Sequence, residues 1–311
     1  MLESLLPDGA PLVRRRGGGR GAGLGGAGDL GELPVGRRGA RVTTALLSEV
    51  YDAHCHLHLD ARPEGQRAAG ALLGALGGAA LMSTAPTDWE AASALARARP
   101  GARCLFGIHP WRAHAYAGER GWLDALRARL LAAPGSAVGE IGLDRLWRPP
   151  GLAEVQYAAQ RAVFVAQLDL AAELGVPVSV HCVRAQGDLQ DLLRAAPRLP
   201  PAIYLHAFGG ARGTVEQLTR ARGYGERLYF GFAACVNLRA PKTREAIAAV
   251  PEGRLLVESD REAAEGAAGE LTRMLEVYAE VRGWGGAAEA ARRTARAARE
   301  LYARADGGAK S

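Results

Sequence analysis

The chain has little of several things, and each shortage excludes a class of protein. Among 311 residues, Lys242 and Lys310 are the only lysines, so the 39 basic residues are almost all arginine. There are four cysteines, Cys55, Cys104, Cys182 and Cys235, widely spaced and with no Cys-x-x-Cys pair. That spacing argues against a disulfide framework and against a thiolate zinc site, and reduced thiols are expected. No apolar run approaches the ~20 residues that cross a bilayer. The start, Met1-Leu2-Glu3-Ser4-Leu5-Leu6-Pro7, lacks the basic lead and apolar core of a secretion signal. A cytoplasmic protein with no membrane partner is expected, and a nuclear one is compatible with the same features. The net charge of +6 comes from arginines scattered among acids, with basic blocks lacking downstream of the first fifty residues, and is weak ground for a polyanion partner.

Residues 1–48 contain Arg14-Arg15-Arg16-Gly17-Gly18-Gly19-Arg20-Gly21 followed by Gly- and Ala-rich sequence. Such composition offers little to a packed core, so a disordered extension is expected there. From Val50 short apolar runs alternate with Ala/Leu/Arg-rich stretches of helical period, the mark of repeated βα units. Strands are expected at about 50–55, 78–83, 103–108, 137–141, 177–181, 202–206, 227–232 and 254–259. Helices are expected at 64–76, 87–99, 118–132, 152–174, 186–196, 213–223, 240–249 and 269–282, with a last one over 287–303 packed outside. The clearest is 152–174, where Val155, Ala159, Ala162, Val163, Ala166, Leu170 and Leu174 recur at helical spacing before Gly175 and Pro177. Eight strands with eight helices predict one α/β domain over residues 49–305, a (β/α)₈ TIM barrel, with a flexible tail at 306–311.

Barrels of this kind place chemistry at the C-terminal ends of their strands, so polar residues closing apolar strands form the candidate site. In Tyr51-Asp52-Ala53-His54-Cys55-His56, the alternation of a strand puts His54 and His56 on one face and Cys55 on the other. The fourth strand supplies Glu140, the fifth His181, the sixth His206 and the eighth Asp260. One such histidine is most simply a hydrogen-bonded core residue; six such residues at one rim are a metal site. Imidazole with carboxylate suits zinc, manganese or a related divalent ion, and six ligands exceed one tetrahedral centre. Two divalent ions (Zn, Mg or Mn), bridged by Glu140, would use them all. His58 and Asp60 fall beyond the strand, in a loop; His114 reads as exposed; Asp144 would either orient a ligand histidine or cap the following turn.

At these residues the chain resembles the TatD family of metal-dependent hydrolases, which includes deoxyribonucleases. The resemblance spans about residues 50–283. It rests on Asp52-Ala53-His54-Cys55-His56-Leu57, Gly107-Ile108-His109-Pro110-Trp111, Val138 to Arg145, Phe164, Gln167-Leu168, Pro177 to Cys182, His206-Ala207-Phe208-Gly209-Gly210 and Glu258-Ser259-Asp260. Ser83-Thr84, Asp88-Trp89 and Leu143 to Pro150 are most similar to the fungal branch.

The resemblance implies that His54, His56, Glu140, His181, His206 and Asp260 are metal ligands, that His109 lies near the scissile group, and that Arg184 meets a phosphate. After Asp260 the chain departs from the family pattern, with Arg261-Glu262-Ala263-Ala264-Glu265-Gly266 where a Ser/Ala-Pro-aromatic segment or a histidine is usual. That departure leaves the specificity of the loop open. The implied activity is hydrolysis of DNA phosphodiester bonds by a monomer, with Asp260 as ligand and general base for a water activated between two metals. Hydrolysis of a small amide, ester or lactone, or a barrel kept as a binding or scaffold protein with reduced activity, are the alternatives.

Overall fold

The computed structural model describes residues 43–149, 151 and 153–307. The Gly/Arg-rich extension expected over residues 1–48 falls outside them as far as residue 42, as does the tail from 308. Eight parallel strands follow in chain order: β1 (Tyr51–Cys55), β2 (Gly78–Met82), β3 (Ala102–Phe106), β4 (Ala137–Asp144), β5 (Val178–Val183), β6 (Ile203–Leu205), β7 (Leu228–Ala233) and β8 (Leu255–Glu258). Each pairs with the next. The β1–β8 seam is joined by Asp260 N–H on His54 O (3.0 Å) and His56 N–H on Arg261 O (2.8 Å). Asp52, inward-facing two residues before His54, completes it: its carboxylate accepts from Ser259 N–H at 2.9 Å and Ser259 Oγ–H at 2.6 Å. The barrel expected from the alternation is therefore present.

Helices Pro63–Ala75, Trp89–Arg97, Trp122–Ala132, Ala153–Leu174, Gln186–Ala195, Arg212–Thr219, Lys242–Ala249 and Ala267–Arg282 alternate with the strands, within a few residues of expectation. The last helix is longer than expected, Ala287–Gly307, and extends past residue 305. It packs outside β1 and β8, where Tyr302 donates from its hydroxyl to Ala53 O at 2.9 Å and stacks on Tyr51. Among the described residues no helix is long and apolar enough to cross a membrane. The cores of the strands, such as Leu105, Phe106, Val178, Val180, Phe230 and Leu256, are fully buried.

Two features aim side chains at the C-terminal rim. Pairing slips register between Asp52 and Cys55 in β1 and between Val138 and Ile141 in β4, the positions of His54 and Glu140. Irregularities of this kind re-aim a side chain locally. Buried glutamines of the helix Ala153–Leu174 hold the strand ends: Gln167 pairs both ways with Ile108 (2.7 and 3.2 Å), and Gln160 with Asp144 N–H and C=O (2.7 and 3.2 Å). Each amide substitutes for a missing strand neighbour and leaves the backbone satisfied without solvent. Gly142, at φ +148°, lets β4 pass the backbone of β5: a Cβ there would run into the carbonyl of His181.

Candidate metal centre

Glu140 is buried at the middle of the rim, and its two oxygens face different partners. Oε2 is 3.3 Å from His54 Nε2 and 3.1 Å from His56 Nε2; Oε1 is 2.7 Å from His206 Nε2 and 2.9 Å from His181 Nδ1. Asp260 Oδ1 approaches His54 and His56 at 3.7 and 3.8 Å. Ligand atoms cluster in three groups, each within 4.8 Å: His54 with His56 and Glu140, His54 with His206 and Asp260, and His109 with Glu140 and His181. All six residues collected from strand ends thus meet at one place. The donor set of imidazole nitrogens and carboxylate oxygens fits divalent cations.

Hydrogen bonds to the far ring nitrogens fix which face each histidine presents. His56 Nδ1 lies 2.8 Å from Met82 O, an acceptor only, so Nδ1 carries a proton and Nε2 is the nitrogen left to face Glu140. His54 Nδ1 meets Ser179 Oγ at 3.0 Å, an arrangement that permits the same tautomer. His109 is reversed: the Trp111 backbone N–H donates to its Nδ1 at 3.2 Å, so in the neutral ring Nε2 carries the hydrogen, 3.3 Å from Glu140 Oε1. Burial pushes the His109 pKa down to about 4, which keeps it neutral and makes it a donor. Distance alone groups His109 with the candidate ligands; its hydrogen bonding separates it from them.

Charge is concentrated here. Burial alone would raise the Glu140 carboxyl, yet the surrounding imidazoles, His206, His109 and His54 foremost, hold it well below the ordinary range. Against the opposing effect of burial, Glu140 lifts His56 to about 9, and Asp144 with Glu140 lifts His181 to about 10. Burial and His206 keep His54 well below its usual value. Asp260 is raised by burial, with His206 and His56 opposing. Below the ring, burial lifts Glu258 to about 8, so it is protonated at neutral pH; it hydrogen-bonds Tyr204 and accepts from Ala207 N–H at 2.6 Å. The three described non-glycine residues with positive φ are Arg184, Ala207 and Asp260, each just after β5, β6 or β8 at this rim. Such backbone costs on the order of 1–3 kcal/mol per residue and persists where surrounding structure enforces it.

Some expectations need correction. His58 is not on an open loop but buried in the short 3₁₀ turn Leu57–Leu59, with Nε2 3.6 Å from Asp88 Oδ2, because that turn folds under the helix Trp89–Arg97. Asp60, in the loop expected, pairs with Arg62 at 2.7 Å. His114 is half-buried in the turn Ala113–Ala115, not exposed. Asp144 does both things expected of it as alternatives: Oδ2 lies 3.5 Å from His181 Nε2, and Oδ1 accepts from the Leu146 and Trp147 N–H groups at 2.7 and 3.1 Å. Arg184 is exposed beyond β5, and the side chains described around it draw it into no ion pair. Cys55 is buried on the opposite face from the histidines, and all four thiols are free.

Ser179 and the Glu258–Tyr204 pair went unassigned from the sequence. Ser179 shares a face with His181 by strand alternation, and a hydroxyl in an otherwise apolar run was the signal for it.

The comparisons agree with this geometry. A family model described as "TatD related DNase" matches residues 51–303. The Cut9-interacting protein scn1 of Schizosaccharomyces pombe is 25% identical, covering 76% of this chain and 94% of its own length. The 3'-5' ssDNA/RNA exonuclease TatD of Enterobacter lignolyticus is 34% identical over 60% of this chain and 68% of its own. The crystal structure of YJJV, a TatD homolog from Escherichia coli, superposes with a TM-score of 0.64 at 24% identity, over 82% of this chain and 98% of that one, and bears on the fold alone. The family match covers the barrel from its first strand into its last helix and takes in every residue of the buried ring, so the chain belongs to the TatD family of metal-dependent hydrolases.

Proposed function

We propose that this protein hydrolyses phosphodiester bonds of single-stranded DNA or RNA, with His54, His56, Glu140, His181, His206 and Asp260 holding two divalent ions. The division of Glu140, one oxygen toward His54 and His56 and the other toward His181 and His206, carries this reading. It is the arrangement a bridging carboxylate requires. Zinc, manganese or magnesium bound there would supply an activated water and offset charge on the phosphate.

The residues then divide the remaining work. Asp260, raised by burial, accepts the proton of the attacking water at a carboxylate oxygen facing His54 and His56. His109 donates from Nε2 to a non-bridging phosphate oxygen, the role left to it when Trp111 N–H occupies Nδ1. Arg184 brings a fixed positive charge from the end of β5, where it meets the phosphate or its neighbour along the strand. Ser179, Met82 O and Asp144 orient His54, His56 and His181. The enzyme would act as a monomer in the cytoplasm or nucleus.

The test is Glu140→Ala, assayed on single-stranded DNA with metal content measured on the same preparation. Loss of cleavage together with loss of bound metal in a folded protein is expected. Undiminished cleavage by that variant contradicts the assignment.

A further inference from the structure

Beside the metal centre, Trp111 and Trp147 stack with ring centroids 4.6 Å apart and planes 18° from parallel. The two indoles are held differently. Trp111 is pinned: its Nε1–H donates to Asp144 Oδ2 at 2.7 Å, and its ring packs edge-on against His109 at 5.0 Å and His181 at 6.3 Å. Trp147 is half-buried, lies on Trp111, and its Nε1 has no hydrogen-bond partner among the described residues. A donor left unpaired is costly, and a ring not anchored by its own nitrogen can shift at little further cost. Leu146 beside it is 62% exposed. Exposed Arg145 lies over Tyr157 at 4.6 Å, and Arg148 is exposed next to Trp147. Arg145 is paired with Asp188 at 2.7 Å, so the rim between β4 and its helix presents aromatic and apolar surface with Arg148 as its exposed cation, one ring away from residues at the reacting centre.

Resting on the nuclease reading, we infer that Trp147, backed by Trp111, is a stacking platform for the nucleobase adjoining the scissile phosphate, and that it makes the enzyme select base-bearing single strands. Stacking on an aromatic ring suits any base, because every base has a π-face, and gives preference for unpaired strands without reading sequence. Asp144 couples the platform to the centre: one oxygen takes the Trp111 indole and faces His181, while the other accepts from the backbone N–H groups of Leu146 and Trp147.

The experiment compares an all-thymine strand with a fully abasic strand of equal length, measuring KM on the metal-loaded enzyme and on its Trp147→Ala and Trp147→Phe variants. For the unsubstituted enzyme the abasic strand should have a KM higher by roughly 5- to 150-fold, the range for one stacked base. Trp147→Ala should collapse that ratio to within about twofold by raising KM for the thymine strand, and Trp147→Phe, which keeps a ring, should retain most of it. A ratio near one in the unsubstituted enzyme, or a ratio unchanged in Trp147→Ala, overturns the inference. If neither strand is cut with any divalent metal, the nuclease reading is what fails. The platform is then judged by anisotropy of labelled phosphorothioate strands of both kinds: the same ratio in affinity, lost in Trp147→Ala, upholds it, and equal binding refutes it.

Discussion

The two ends of the barrel use their ionisable residues in opposite ways. At the N-terminal end arginines act as staples. Arg103, Arg227, Arg254 and Arg282 donate to loop carbonyls of Gly135 (2.8 Å), Pro200 (3.0 Å), Gly225 (2.8 Å) and Val250 (2.6 Å). Arg282 and Arg293 also share Glu252 and lie over the Trp284 ring from 5.6 and 5.2 Å. At the C-terminal end, imidazoles and carboxylates crowd together while burial disfavours their charges, and the three described positive-φ non-glycine residues all occur. The first end pairs most of its donors, with Arg227 Nε and the Tyr224 hydroxyl left over among the described residues, and its residues stabilise the fold. The second is held in an arrangement that hydrogen bonding alone does not explain and that metal binding would. Part of the arginine content behind the sequence pI of about 9.4 thus closes loops.

Substitutions at the C-terminal end should therefore abolish or weaken activity, and those at the N-terminal end should cost stability alone. The largest effect is expected from Glu140→Gln, which keeps shape and removes charge. Cleavage should be lost, and the thermal midpoint of metal-free protein should fall as well, because the imidazoles that hold the Glu140 carboxylate ionised lose their partner; an unchanged midpoint in calorimetry would contradict that pairing. Asp144→Asn comes next. Outer partners of metal-bound histidines are worth about 10–100-fold in metal affinity or activity. A metal titration of this variant should show weakening on that scale, and an unchanged affinity would make Asp144 a turn cap only. Arg282→Ala reverses the pattern. Losing a charged donor to buried carbonyls costs about 1–3 kcal/mol, read as a lower midpoint in denaturant, with kcat/KM at room temperature unchanged; lost activity in the folded variant would blur the division.

The smallest effect concerns acid stability beside the rim. Burial would raise the Asp88 carboxyl, but His58 and the hydrogen bonds of Thr84 N–H (2.8 Å) and Oγ–H (2.6 Å) overcome this and lower it below 3.8. A carboxyl lower in the folded than in the unfolded state stabilises above its unfolded value, about 3.9, and that stabilisation fades as pH falls through the folded value. Urea midpoints of Asp88→Asn should therefore decline less steeply below about pH 4. Identical acid limbs in both proteins would contradict the role.

How far this was legible in the sequence depends on how local the determinants are. His54 and His56 could be placed because strand alternation is a property of neighbours, and Glu140, His181, His206 and Asp260 because each closes its own apolar run. The barrel followed from the same repetition. What depends on register between distant segments was not legible. The Trp111–Trp147 stack requires the ends of β3 and β4 to meet, and the burial of His58 depends on how its turn folds under a helix thirty residues on. The tautomer of His109 depends on a backbone N–H two residues away whose direction only the folded turn defines.

The central claim is that Glu140 lies between two metal ions. Anomalous diffraction from crystals soaked in manganese or zinc tests it directly. Two peaks about 3.5–4 Å apart, one beside His54 and His56 and the other beside His181, with a Glu140 oxygen on each, are the predicted result. A single peak on one side of Glu140, or two peaks with its carboxylate outside them, would contradict it.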